Sequence, residues 1–218
     1  MMNLTIAVVA KECLPGRVKT RLTPPLTPGG AALLAQLSLS MTLESVRSFP
    51  ARRRLLVMDG KPRDCDAAGF TVQEQVPGSL DTRLAAIFDS VRGPLLLVGM
   101  DTPQLSTEHL EPLFLDWATD SPRHGAWFGP AYDGGFWALA MLRPRGELIR
   151  GVEMSTGSTG AKQLGRLHAA GQRTGVLPRL RDMDSFGDAM DIAADLPGTE
   201  FAAAVQASAV EFAVGRPS

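Results

Sequence analysis

Short, unbroken apolar runs alternate along this chain with longer stretches of helical periodicity, and that alternation constrains the fold more than any other feature. LTIAVVA from Leu4, RLLVMD from Arg54, FTVQEQ from Phe70, PLLLVG from Pro94, GAWFGP from Gly125 and FWALAML from Phe136 have strand length and composition. RTGVLP from Arg173 is a further candidate strand. Between the strands, GGAALLAQLSLSMTLESVRSF, SLDTRLAAIFDSVR and TEHLEPLFLDWA place apolar residues three and four apart, so each predicts a helix that lays one face on a sheet. STGAKQLGRLHAAG and SFGDAMDIAADL predict two more helices, with Ser185 and Asp188 at capping-box spacing. The pattern predicts the α/β class, with a mostly parallel sheet flanked by crossover helices.

The 218 residues suit a single domain that buries a sheet between helical layers. We expect its core over residues 4–196, a last helix over residues 199–214 and a frayed GRPS end. No solenoid-length repeat or long low-complexity linker divides it. A formal charge of −1, from 22 basic and 23 acidic side chains, argues against a general nucleic-acid or membrane-surface binder. The two cysteines, Cys13 and Cys65, neither complete a zinc site nor form a secreted disulfide framework. LTIAVVA is too short to span a bilayer and lacks the basic flank of a signal peptide, so the expectation is a soluble cytoplasmic protein.

The chemistry concentrates just past the strands, where open α/β sheets hold their ligands. After the first strand comes KECLPGRVKTRL, in which Pro15 and Gly16 set a turn. In an extended segment Lys19 and Arg21, alternating with Thr20, point to one side and share a target. A polyphosphate suits that pair, because lysine supplies a movable point charge and arginine a planar fork for phosphate oxygens. The bland alternative is ordinary solvated charge. No GxGxxG follows the strand, and GSTGAKQ lacks the GK[ST] ending of a P-loop, so neither dinucleotide nor P-loop binding is expected.

In PLLLVGMDTPQLSTEHL a strand ends at Gly99, Asp101 follows, and a helix starts at Ser106 or Thr107. A carboxylate there beside phosphates points to a hard cation such as Mg²⁺, whereas the same aspartate can simply open an Asp-Thr-Pro turn. In GPAYDGGFWALAM, Asp133, Gly134 and Gly135 join two strands. They read either as a hairpin turn or as a backbone that approaches a ligand closely, with Asp133 binding a hydroxyl. RDMDSFGDAM offers Asp182 and Asp184 before a capped helix, where a carboxylate can also serve only the helix dipole.

PGRVKTRL, VGMDTPQL, GPAYDGGFW, VEMSTGST and RDMDS, in that order from about Thr5 to Met190, resemble a bacterial GT-A-like nucleotide-diphospho-sugar transferase family. Its members are glycosyltransferases of the arsenosugar-biosynthesis type, and the chain is similar, more distantly, to 2-phospho-L-lactate guanylyltransferase and the molybdenum-cofactor guanylyltransferase. The resemblance implies a Rossmann-like nucleotide-binding sheet and a divalent metal, Mg²⁺ or Mn²⁺. It implies that Gly16, Arg17, Lys19 and Arg21 form the nucleotide phosphate loop, with Arg83 also on the nucleotide. Asp101 becomes the metal ligand and Asp184 a second one, while Asp133, Gly134 and Gly135 wall the acceptor and Ser155 and Thr156 lie near the transferred group. Three positions depart from the family pattern: Met100 in place of a common serine, Met154 in place of a tryptophan, and GSLDTRL in place of Gly-Asp-Leu-Gly. All three fall on the expected acceptor side.

Two transfers suit such a scaffold: nucleotidyl transfer from an NTP to a small acceptor, phosphorylated in one version, with release of pyrophosphate, or glycosyl transfer from a nucleotide-sugar. Asp101 is the one carboxylate at the central turn, and with Lys19 and Arg21 as candidate catalytic cations this favours the nucleotidyl reading. His109, His124 and His168 read as structural or exposed, and a phosphate acceptor needs no general base. A degenerate nucleotide-binding domain without turnover is the third reading.

Overall fold

The computed structural model describes residues 3–214, with side chains to residue 210; the expected GRPS end lies outside that span. Seven strands form one sheet: β1 (Thr5–Lys11), β2 (Arg53–Asp59), β3 (Thr71–Glu74), β4 (Leu95–Gly99), β5 (Ala126–Pro130), β6 (Phe136–Met141) and β7 (Thr174–Val176). Their order is β3-β2-β1-β4-β6-β5-β7, and every predicted strand is among them. β6 runs antiparallel to both β4 and β5, whereas the remaining neighbours are parallel. Because β6 alone is reversed, its first residue lies at the same edge as the last residues of β1, β2, β4 and β5. Connections from four strands therefore meet there.

The helices are α1 (Pro28–Ser48), α2 (Asp64–Ala67), α3 (Leu80–Ser90), α4 (Thr107–Trp117), α5 (Thr159–Ala169), α6 (Phe186–Asp195) and α7 (Glu200–Val214). All except the single turn α2 follow the predicted periodicities. Thr27 caps α1 by accepting from the Gly30 amide, with Pro28 already holding the φ of a first helical turn. Ser185 and Asp188 form the predicted capping box at α6.

Strand side chains divide by their two-residue period. Ile6, Val8, Leu56, Leu96 and Val98 pack beneath α1 and α4, while Ala7, Leu55, Val57, Leu95 and Leu97 face Leu84, Phe88 and Leu167 of α3 and α5. A third cluster sits beside the sheet, where Leu22, Leu26 and Leu34 meet Met183, Ile192 and Phe201. α1 contributes to the first and third clusters from different sides. Among the described residues, no helix is long and apolar enough to cross a membrane.

Candidate active site

The first and third clusters together determine where the charges go. Val18, Leu22 and Leu26 are all buried and spaced four apart, which is helical rather than extended spacing. The segment accordingly coils. Lys19 adopts φ 48°, ψ 40°, a short 3-10 turn runs over Thr20–Leu22, and the Leu26 amide donates to the Leu22 carbonyl. The expectation of an extended KTR strip is therefore wrong, although its consequence survives: Lys19 and Arg21 do share a target. That target is a carboxylate of the chain itself.

On the other side of the third cluster, buried Met183 donates its amide to the Asp101 carbonyl at 3.0 Å. Leu180 bridges to Ala131, and the Tyr132 amide donates to Leu180. These bonds pin the RDMDS strip against the loops after β4 and β5. Lys19 Nζ then lies 2.9 Å from Asp101 Oδ2 and 3.3 Å from Asp184 Oδ1, with its side chain only 9% exposed. Arg21 Nη1 reaches Asp184 Oδ2 at 3.4 Å from a largely exposed position. Burial works against the Lys19 ammonium, but the charges of Asp101 and Asp184 and their hydrogen bonds outweigh it and hold its pKa above the usual lysine value. Asp101 Oδ1 is buried and has no hydrogen-bond partner.

Next to this cluster opens a cavity of about 410 Å³ at the ligand edge of the sheet. Asp101, Asp133, Gly135, Ser155, Thr156 and Arg83 line it, so the structure brings these predicted residues together. Leu80, Leu84, Phe136, Trp137 and Met154 give it an apolar side. Gly16 and Arg17 are not among its lining residues: they form an exposed turn in which the Arg17 amide donates to the Leu14 carbonyl. Gly134 does not approach the cavity as a ligand platform either. It has φ +87°, and a Cβ there would stand 2.1 Å from the Gly157 carbonyl oxygen, so its missing side chain serves packing against the start of α5. Asp133 Oδ1 accepts from the Gly135 amide, which closes the turn.

Sequence reasoning missed several lining groups. Lys11 and Asp59 end β1 and β2 at the same edge; the rule that singled out Asp101, a charge at a strand's carboxyl end, also applies to them. Asp182 was offered with Asp184 as a candidate carboxylate before a capped helix, and was not assigned to a cavity. It lines the cavity, and burial first, then the Asp101 and Asp133 charges, push its carboxyl up to about 8. Arg83 is held by Asp59 Oδ2 at 3.2 Å and by the Gly78 carbonyl at 2.9 Å.

The three departures have structural explanations. Met100 is 6% exposed, its sulfur accepts from the Lys11 amide at 3.2 Å and its carbonyl accepts from buried Ser38 Oγ at 2.7 Å, so it ties β4 to β1 and α1. Met154 packs on the core beneath α5 and also faces the cavity. In GSLDTRL, Ser79 bonds Asp81, and Asp81 in turn accepts from the Gly151 amide at 2.7 Å. Cys13 is a half-buried residue whose thiol is pushed up to about 12 by burial and then by the Asp101 charge, which disfavours the thiolate.

Sheet order, the single reversed strand and a cavity at the strand ends define a nucleotide-diphospho-sugar transferase fold. A protein from Desulfovibrio desulfuricans G20, provisionally described as a nucleotide-diphospho-sugar transferase, superposes with a TM-score of 0.83 at 18% identity over 100% of both chains. CMP:2-keto-3-deoxy-manno-octonic acid synthetase complexed with CTP gives 0.57 at 14% identity, covering 89% of this chain and 98% of its own. A cytidylyltransferase from Leptospira borgpetersenii serovar Hardjo-bovis (strain JB197) gives 0.55 at 10% identity, over 100% and 99%. The family model described as "Uncharacterized protein conserved in bacteria (DUF2064)" matches residues 42–156, and the chain belongs to that family. No curated protein matches it.

Proposed function

We propose that this chain is a metal-dependent transferase that moves a nucleotidyl group from an NTP to a small acceptor with release of pyrophosphate. The observation that carries the reading is the meeting of Asp101 and Asp184 on one cation position, now taken by the Lys19 ammonium. Two carboxylates from distant parts of the chain converge on a single positive charge, and a partnerless oxygen of Asp101 remains beside it. Among the described residues, no three His, Cys, Asp or Glu side chains form a complete metal cage. That donor set suits Mg²⁺ or Mn²⁺, which keeps several waters and takes its other ligands from substrate phosphates. Asp101 and Asp184 would hold the ion, which when bound supplies positive charge to the phosphate oxygens.

The chain's own residues do the rest. Arg83, fixed by Asp59 and the Gly78 carbonyl, offers a positioned guanidinium on the nucleotide side of the cavity. Lys19 and Arg21, beside the metal position, would serve the charge that develops on the leaving pyrophosphate. Asp133, Ser155 and Thr156 line the cavity and would bind hydroxyls of the acceptor there, beside the apolar surface of Phe136 and Met154. The acceptor oxygen forms the new bond to the α-phosphorus as the bond to the β-phosphate bridge breaks. A phosphorylated acceptor arrives already ionised, so the histidines have no part in the step. The CTP bound to a fold relative agrees with an NTP as donor.

Calorimetric titration of the common NTPs and of UDP-, GDP- and dTDP-sugars, with and without Mg²⁺, tests the reading. One NTP is expected to bind in a Mg²⁺-dependent manner, with sugar nucleotides weak. Asp101→Asn is expected to lose the metal dependence while still melting cooperatively. Preference for a sugar nucleotide would replace nucleotidyl by glycosyl transfer.

A further inference from the structure

The basic loop and the acidic strip face each other, although a phosphate-binding lysine should be free to face a phosphate. We infer that Lys19 is a resident counter-cation: a divalent metal arriving at Asp101 and Asp184 displaces its ammonium, which then turns to the phosphates. This rests on the metal-dependent transferase reading above.

Three observations carry it. First, Lys19 Nζ contacts both carboxylates, at 2.9 and 3.3 Å, while its side chain is almost wholly buried. An ammonium and a divalent ion cannot share that position, because like charges a few ångströms apart in a poorly solvated site repel strongly. Second, Asp101 Oδ1 is buried without a partner, so the carboxylate has unused capacity that one ammonium does not satisfy.

Third, the backbone need not move for the exchange. Val18 and Leu22, on either side of Lys19, are fixed in the core, so a rotation of the flexible four-carbon stem is enough. Arg21 keeps its exposed contact to Asp184 in either state, since its fork approaches the other carboxylate oxygen. Metal occupancy and delivery of the phosphate cation thereby become one event. Before the ion arrives, Lys19 and Arg21 together offset the two carboxylates, so their repulsion does not open the site.

Titration calorimetry with Mn²⁺ alone, on nucleotide-free protein, tests the exchange. Lys19→Met fills the same space without a competing charge, and it is expected to bind Mn²⁺ on the order of tenfold more tightly than the wild type. Asp101→Asn is expected to bind none. Equal Mn²⁺ affinity in wild type and Lys19→Met would overturn the exchange and leave the metal-dependent reading standing. Absence of Mn²⁺ binding in both would overturn the two together. Should Lys19→Met fail to fold, the wild type decides: acetic anhydride labelling of Lys19, located by mass spectrometry, is expected to rise several-fold on Mn²⁺ addition relative to exposed Lys61. Unchanged labelling would overturn the exchange.

Discussion

Two loops lie at the ligand edge of the sheet, and both contain glycines at positive φ, yet they are built on opposite principles. In the basic loop after β1, Gly16 (φ +74°) lies in open space, with nothing within 4 Å of where its Cβ would stand. Chain direction there is set by the buried side chains of Val18, Leu22 and Leu26, and the charges between them reach out to Asp101 and Asp184. In the β5–β6 loop, Gly134 (φ +87°) is pressed against the Gly157 backbone, and the loop's shape is set by backbone contact. The first loop is built around ion pairs with distant carboxylates. The second is a rigid wall.

The sharpest way to break this contrast is to add one methyl group to each loop. At Gly134 an alanine meets both the left-handed backbone penalty and a carbonyl oxygen that belongs to main chain and cannot rotate away. Gly134→Ala is expected to cost on the order of 3 kcal/mol and lower Tm by roughly 10 °C in a thermal melt. At Gly16 only the backbone penalty applies, so Gly16→Ala is expected to cost about 1–2 kcal/mol. Equal losses in the two variants would show that crowding at Gly134 is relieved by a shift of the α5 start and that the wall is soft.

The same contrast explains what could be read before the structure. Every strand and all helices longer than one turn follow from apolar period, because burial selects side chains in a pattern that the sequence displays directly. Asp101 and Asp133 were legible as pocket residues because each stands in the turn after a strand, whereas Ser155 and Thr156 entered only through the family resemblance. Asp182 was not legible as one. Its place in the cavity depends on Met183 inserting between α1 and α6 and on the Met183 amide bonding to Asp101 across more than eighty residues. The coiled path of the basic loop could have been read from Val18, Leu22 and Leu26, whose spacing of four contradicts an extended strip. What no local pattern contains is the pairing of Lys19 with two distant carboxylates, since charge partners leave no periodic trace.

A third connection at this edge, from Met100 to Ser106, carries Asp101 at its start and ends in a helix cap closed by a histidine, and it sharpens the comparison by being sensitive to pH. Ser106 caps α4, and its backbone amide donates to His109 Nδ1 at 3.1 Å in a capping box. Nδ1 can accept only in the neutral ring with its proton on Nε2. Burial lowers the pKa of His109 below the usual histidine value of about 6.5. The unfolded chain therefore takes up the proton first as pH falls. The box stabilises the fold fully above about pH 6.5, and its contribution is lost as pH drops through the lower folded-state pKa. Glutamine at this position accepts from the cap amide without titrating. His109→Gln is thus expected to flatten the loss of stability between pH 8 and pH 5 in urea melts by on the order of 1 kcal/mol, the worth of one cap. The smallest of the three effects is also the most specific: Gly134→Ala should keep the wild-type pH dependence while losing stability throughout, and a pH profile unchanged in His109→Gln would show that the cap does not set the acid sensitivity.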